Sequence, residues 1–128
     1  MMPKQEIIAV LLVIICPIVI VWAAFSHQSI LKQANTVQLS AQAPEKGNFS
    51  PQTIKIKKGK EITLMIRNVD VTSHGFIVPL LGIRVKEIKA GELEKVTFTI
   101  DEAGKYPFYC SVWCSDYHMQ MRGTLIVE

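Results

Sequence analysis

The residues able to do chemistry crowd into one stretch near the carboxyl end, Tyr109-Cys110-Ser111-Val112-Trp113-Cys114-Ser115-Asp116-Tyr117-His118-Met119-Gln120-Met121. Cys110, Cys114, His118 and Met121 place two thiols, an imidazole and a thioether within twelve residues. Soft sulfur combined with imidazole is a donor set that suits copper, whereas hard cations call for carboxylates and carbonyls. A second imidazole, His74, lies far upstream in Val71-Thr72-Ser73-His74-Gly75-Phe76. Each residue also has a plainer reading. Cys110 and Cys114 could form a disulfide in an oxidising compartment, His74 taken alone could be an ordinary loop histidine, and Met121 taken alone could be core packing.

The elements that must position these groups follow from length and patterning. A chain of 128 residues accommodates one domain of ordinary size. Apolar residues make up 49% and charged residues 20%, and the two are segregated. Residues 7–25, IIAVLLVIICPIVIVWAAF, carry no charge over 19 positions, close to the roughly 20 needed to cross about 30 Å of hydrocarbon. Residues 1–26 therefore read as an N-terminal transmembrane anchor, with Pro17 tolerated inside it and Trp22 and Phe25 as interfacial aromatics. The alternative is a cleaved signal peptide with Val21-Trp22-Ala23 at the cleavage site, but a signal core usually spans only about 7 to 15 residues. Cys16, flanked by Ile15 and Pro17, makes a poor lipoprotein box and faces lipid or a partner helix. Lys4 places the terminus in the cytoplasm and the remaining chain outside the cell membrane.

Residues 27–47 are polar, aperiodic and closed by Pro44 and Gly47, which predicts a tether with little core, His27 being a solvated part of it. From Asn48 the pattern becomes short strands divided by turn signals, predicted at 53–57, 61–68, 75–78, 83–88, 96–100, 105–109 and 124–127. Ile62, Leu64 and Ile66 share one face, as do Val96, Phe98 and Ile100. Seven short strands without a useful helix predict an all-β, Greek-key sandwich over 48–128. Loops at one end of such a sandwich can bring His74 to the cysteines. The run Lys55, Lys57, Lys58 and Lys60 reads as a solvated edge that discourages strand addition, or as a contact for anionic headgroups. A net charge of +3 is too weak and scattered for nucleic acid. Multi-pass membrane proteins, disordered tails and enzymes with their own nucleotide-binding domain are excluded.

Histidine, a long gap, then C-x3-C-x3-H-x2-M resembles the binuclear copper A centre of cupredoxin domains, found in subunit II of haem-copper oxidases and in nitrous oxide reductase. The likeness runs from Asn48-Phe49-Ser50-Pro51 through Ser73-His74-Gly75-Phe76 to Arg122-Gly123-Thr124-Leu125-Ile126-Val127. It implies two copper ions bridged by Cys110 and Cys114, with His74 and Met121 on one copper, and His118 and the backbone carbonyl of Val112 on the other. Two bridging thiolates let one electron be shared by both metals, and small rearrangement on reduction favours fast electron transfer. Many oxidase subunits carry, at the position of Val112, a glutamate that also holds magnesium, and many relatives have an acidic residue three before the histidine. Here that position is Val71, and Asp70 is one further away. The tail His118-Met119-Gln120-Met121-Arg122-Gly123 is similar to the reductase version, while a single amino-terminal anchor is more like subunit II of B-type oxidases. A thioredoxin-like copper chaperone also carries C-x3-C, but there the motif follows an early strand and opens a helix.

The resemblance implies an electron-transfer subunit of an oxidoreductase with no catalytic site of its own. Cytochrome c or a small cupredoxin would be the electron donor, and a haem-bearing oxidase subunit the acceptor. The alternatives are a free-standing anchored carrier feeding a periplasmic reductase, and a copper-delivery protein. Trp113 is read either as a docking residue or as a shield, Tyr117 as a shield, and Met119 as core or site wall.

Overall fold

The structure is a computed structural model that describes residues 3–128, without the side chains of residues 7–11 and 28–34. It divides into two units, Met1–Ala34 and Asn35–Glu128. The first contains one helix, α1 (Lys4–Ala34), of 31 residues with Pro17 inside it. Ser26 Oγ donates to the Trp22 carbonyl at 2.9 Å, a local bond characteristic of a hydroxyl on a helix. Among the described residues no helix is long and apolar enough to cross a membrane. The expected span begins at Ile7, and the side chains at 7–11 lie outside the description. The apolar side chains that are described, including Leu12, Val13, Ile18, Val21, Trp22 and Phe25, are exposed.

The second unit is a sandwich of two sheets. Its strands are β1 (Thr36–Ala41), β2 (Phe49–Ser50), β3 (Thr53–Ile56), β4 (Glu61–Asn68), β5 (His74–Val78), β6 (Ile83–Ile88), β7 (Leu93–Thr99), β8 (Gly104–Tyr109) and β9 (Arg122–Val127). One sheet has the order β2-β1-β4-β7 and the other β3-β9-β8-β5-β6. Alternation drives the arrangement: β4 turns Ile62, Leu64 and Ile66 inward, and β9 does the same with Leu125 and Val127. Between the sheets Phe49, Phe76 and Phe108 form a ring cluster with centroids 5.2 to 6.0 Å apart. Truncating one of these rings to alanine would cost about 3–5 kcal/mol. Phe76 follows His74 by two positions on β5, and Phe108, near the end of β8, precedes Cys110 by two.

The segment expected to be a coreless tether is different. Thr36–Ala41 pairs in parallel with Thr63–Asn68, from Thr36↔Thr63 to Ala41↔Asn68, and Leu39, Ala41 and Ala43 are buried. The sandwich unit thus begins at Asn35 and not at Asn48. TVQLSA carries only two large apolar residues, so its local signal is weak. Its backbone is satisfied by a strand far along the chain, a pairing no short window reports. In the other sheet β3 is an edge strand paired with β9, and Lys55, Lys57, Lys58 and Lys60 are exposed, as an edge protected by charge requires.

Candidate metal centre

Two segments meet at one end of the sandwich. The first leaves β4 at Asn68, whose buried carboxamide organises the turn into β5. Asn68 Nδ2 donates to the carbonyls of Thr72 at 2.7 Å and Ile88 at 2.8 Å, and its Oδ1 accepts from the Asp70 N–H at 2.9 Å. That turn delivers His74, fully buried, as the first residue of β5, a strand position and not the loop position expected. The second segment connects β8 to β9 and is closed at its base by a bond from the Cys110 N–H to the Met121 carbonyl, 3.0 Å. A short 3-10 turn at His118–Gln120 brings the chain back toward β9.

Close approach of the two segments depends on Gly75. A Cβ there would collide with the Ser111 hydroxyl and would lie 3.1 Å from both the Lys86 carbonyl and Val112 Cγ2. The bare backbone lets the Gly75 N–H reach Cys110 Sγ at 3.4 Å. Cys110 Sγ is 3.9 Å from His74 Nδ1 and donates to the Val112 carbonyl at 3.1 Å. Cys114 Sγ is 3.5 Å from His118 Nδ1 and donates to Met121 Sδ at 3.7 Å. The donor atoms of His74, Cys110 and Cys114 all lie within 4.8 Å of one another. Both cysteines are free thiols, 5% and 8% exposed, and Met121 is 1% exposed. The six positions singled out from the sequence are therefore gathered in one place.

Burial favours the neutral forms of Cys114 and His74. Burial, reinforced by the neighbouring Cys110, pushes the Cys114 thiol up to about 12. Burial also lowers the His74 pKa, with the Asp70 carboxylate offsetting part of the effect. Asp70 itself is buried, which works to raise its pKa. The Lys46 ammonium and the N–H groups of Ala43 and Val71 outweigh that and hold it well below the usual carboxylate range. His74 Nε2 lies 3.3 Å from Asp70 Oδ2, so the imidazole carries its proton on the side facing Asp70 and turns Nδ1 toward the sulfurs. The one-residue offset of Asp70 from the common spacing thus does not prevent a carboxylate from facing this histidine.

Two thiols, two Nδ1 atoms, a thioether and a carbonyl oxygen facing one another fit a soft or borderline metal such as copper, and the carboxylate stands behind His74 and not among the donors. Ser111 Oγ is buried without a hydrogen-bond partner among the described residues. Around the site, Trp113 is 69% exposed and its ring centroid lies 5.6 Å from that of His118, while Tyr117 is 53% exposed. Met119, expected in the core or site wall, is 79% exposed because the 3-10 turn rotates it outward while Met121 goes in. Lys46, Asn48 and Asn68 were not legible as site residues, since each acts through a bond to a residue distant in the chain.

Comparison with known proteins identifies the family of the fold. The cupredoxin-like domain description matches residues 14–127. Nitrous-oxide reductase of Ralstonia nicotianae is 38% identical over 96 residues, covering 73% of this chain and 14% of that protein. Cytochrome c oxidase subunit 2 of Thermus thermophilus is 35% identical over 80 residues, 62% of this chain and 58% of that protein. This chain thus spans a small part of the first relative and somewhat over half of the second. A chain of a heme-copper terminal oxidase dimer superposes with a TM-score of 0.64 at 16% identity, covering 98% of this chain and 100% of its own length, a likeness of fold. Because the family match takes in both segments that carry the donor atoms as well as the sheets beneath them, this chain belongs to the cupredoxin-like domain family.

Proposed function

We propose that this protein is a membrane-anchored electron-transfer protein with a binuclear copper A centre, serving as subunit II, or a subunit II-like part, of a haem-copper respiratory oxidase. The observation that carries the reading is the pairing of each thiol with its own imidazole: Cys110 with His74 Nδ1 at 3.9 Å and Cys114 with His118 Nδ1 at 3.5 Å. His74, Cys110, Cys114, His118, Met121 and the Val112 carbonyl would hold the two coppers. The pair would supply one-electron exchange with little change in geometry. The chain's own contribution is to hold the donors before metal arrives, to exclude water from the buried thiols, and to release their protons on binding. Burial on the sandwich side leaves the Trp113 and His118 side as the accessible one, suited to exchange with a cytochrome c or small cupredoxin and with a haem-bearing subunit.

The exposed apolar side chains of α1 and the 98% coverage by an oxidase chain support a single-pass anchor, with the sandwich on the extracytoplasmic side. A free-standing anchored carrier that feeds a reductase is the second reading, supported by the higher identity to nitrous-oxide reductase. Copper delivery is less well served, since thiols this buried are poorly placed for ligand exchange.

The test is metal analysis and co-purification of the full chain from detergent-solubilised membranes. Two coppers per chain, together with haem and a large multi-helix subunit, is the expected result. Two coppers on a solitary protein would favour the carrier. One copper, or a tetrahedral zinc, would overturn the binuclear reading.

A further inference from the structure

The turn after β1 reaches both donor-bearing segments. Residues 43–48 close on themselves, with the N–H groups of Lys46 and Asn48 donating to the Ala43 carbonyl at 2.8 and 3.2 Å. From this closed turn three side chains reach outward. Lys46 Nζ donates to Asp70 Oδ1 at 2.8 Å. Ser115 Oγ donates to Glu45 Oε2 at 3.1 Å, and Asn48 Nδ2 donates to the Gln120 carbonyl at 3.0 Å. Asn48 Oδ1 also accepts from the Arg122 N–H at 3.2 Å.

The Lys46 arm leads furthest inward. Asp70 Oδ2 accepts from the Ala43 N–H at 2.9 Å and faces His74 Nε2 at 3.3 Å, while Oδ1 accepts from Lys46 and from the Val71 N–H at 2.7 Å. The carboxylate is thus clamped between the turn and its own segment, with His74 as the next group in line. Lys46 is half exposed and Asp70 is 2% exposed, so a surface cation ends a chain that reaches the buried imidazole through one carboxylate. We propose that Lys46 is a positioning residue for the metal centre: through Asp70 it fixes the His74 ring with Nδ1 toward Cys110, and it sets how strongly that imidazole donates. The proposal rests on the copper reading only for the second of its two consequences.

The first consequence needs no metal. With the ammonium removed, Asp70 loses one of its two bonds to the turn, keeping that from the Ala43 N–H, and holds the His74 Nε2–H less firmly. The second is electrostatic. Loss of the cation leaves the carboxylate uncompensated behind His74, which strengthens the imidazole as a donor and favours the more positive, oxidised cluster. Stronger donation and the uncompensated negative charge each lower the reduction potential.

The test compares wild type, Lys46→Met and Lys46→Arg in the full chain. In the metal-free protein, nitrogen-15 NMR of the His74 ring should show faster solvent exchange of the Nε2–H in Lys46→Met, and recovery in Lys46→Arg, whose guanidinium can still donate to Oδ1. In the copper-loaded protein, Lys46→Met should keep the wild-type copper content and show a lower reduction potential, again restored by arginine. A merely structural lysine would change stability and leave exchange and potential at wild-type values, which would overturn the proposal. If the wild type fails to take up two coppers, the binuclear reading fails, and ring exchange alone then decides the role of Lys46.

Discussion

His74 and His118 present the same atom, Nδ1, to neighbouring sulfurs, yet the chain holds them in opposite ways. His74 opens a strand, is fully buried, and is backed by Asp70, which accepts from the 43–48 turn and from the Val71 N–H of its own segment. His118 sits in a three-residue turn, half-buried, with the exposed Trp113 ring alongside. Cys110 belongs to the first region, against His74 and the Gly75 N–H, and Cys114 to the second, against His118 and Met121. On the proposed electron-transfer reading, the difference separates two requirements. One wall must not move when charge changes, and the other must come close to a partner. The sandwich supplies the first and the β8–β9 segment the second.

Four experiments can break or sharpen that contrast. The largest effect is expected from the cysteines taken separately. Cys114→Ser removes the thiol from the self-contained group of Cys114, His118 and Met121, and should bind copper weakly or with tetragonal geometry. Cys110→Ser leaves that group intact and should bind one copper with strong thiolate-to-copper absorption. Equal affinities and matching spectra would show that the two regions are not distinct.

Next comes the metal-free stability of each wall. Asp70→Ala removes a buried carboxylate bonded to the Ala43 and Val71 N–H groups and to Lys46, and should cost about 2–4 kcal/mol in urea unfolding. His118→Ala should change stability by only about 0.5 kcal/mol. The Asp70 contribution also carries a sign in pH. Its folded pKa lies below the ordinary value of 3.8, so its stabilisation is present above that value and lost as pH falls toward the folded pKa. A wild-type stability profile that stays flat through this acid range, or that Asp70→Asn leaves unaltered, would contradict the account.

Gly75→Ala tests the seam between the regions. The added methyl meets Ser111, the Lys86 carbonyl and Val112, and the backbone on one side cannot yield as a side chain could. A loss of about 1–3 kcal/mol is expected, with displacement of Cys110 visible as weakened copper uptake. The smallest effect belongs to Met121→Leu. Met121 is core as much as donor, and a near-isosteric swap should cost less than about 1.5 kcal/mol. Both coppers should remain and the reduction potential should rise, since axial ligands tune potential more than occupancy. An unchanged potential, or complete metal loss, would argue against the ligand role.

The sequence by itself determined the all-β class, most strand positions and the candidate donors. Those properties are written in short windows: alternation in 61–68 and turn signals around 83–88 match the strands observed there, and C-x3-C-x3-H-x2-M is a local spacing. Tertiary structure decided what depends on distant partners. TVQLSA is a strand because β4 offers it a parallel edge, and Lys46 reaches Asp70 because its turn packs where that carboxylate can accept its hydrogen bond. Met119 and Met121, two positions apart and chemically identical, were separated only by the sense of a 3-10 turn, one outward and one inward. Periodicity and spacing report on neighbours along the chain, whereas burial and hydrogen-bond partnership are set by segments brought together from across it.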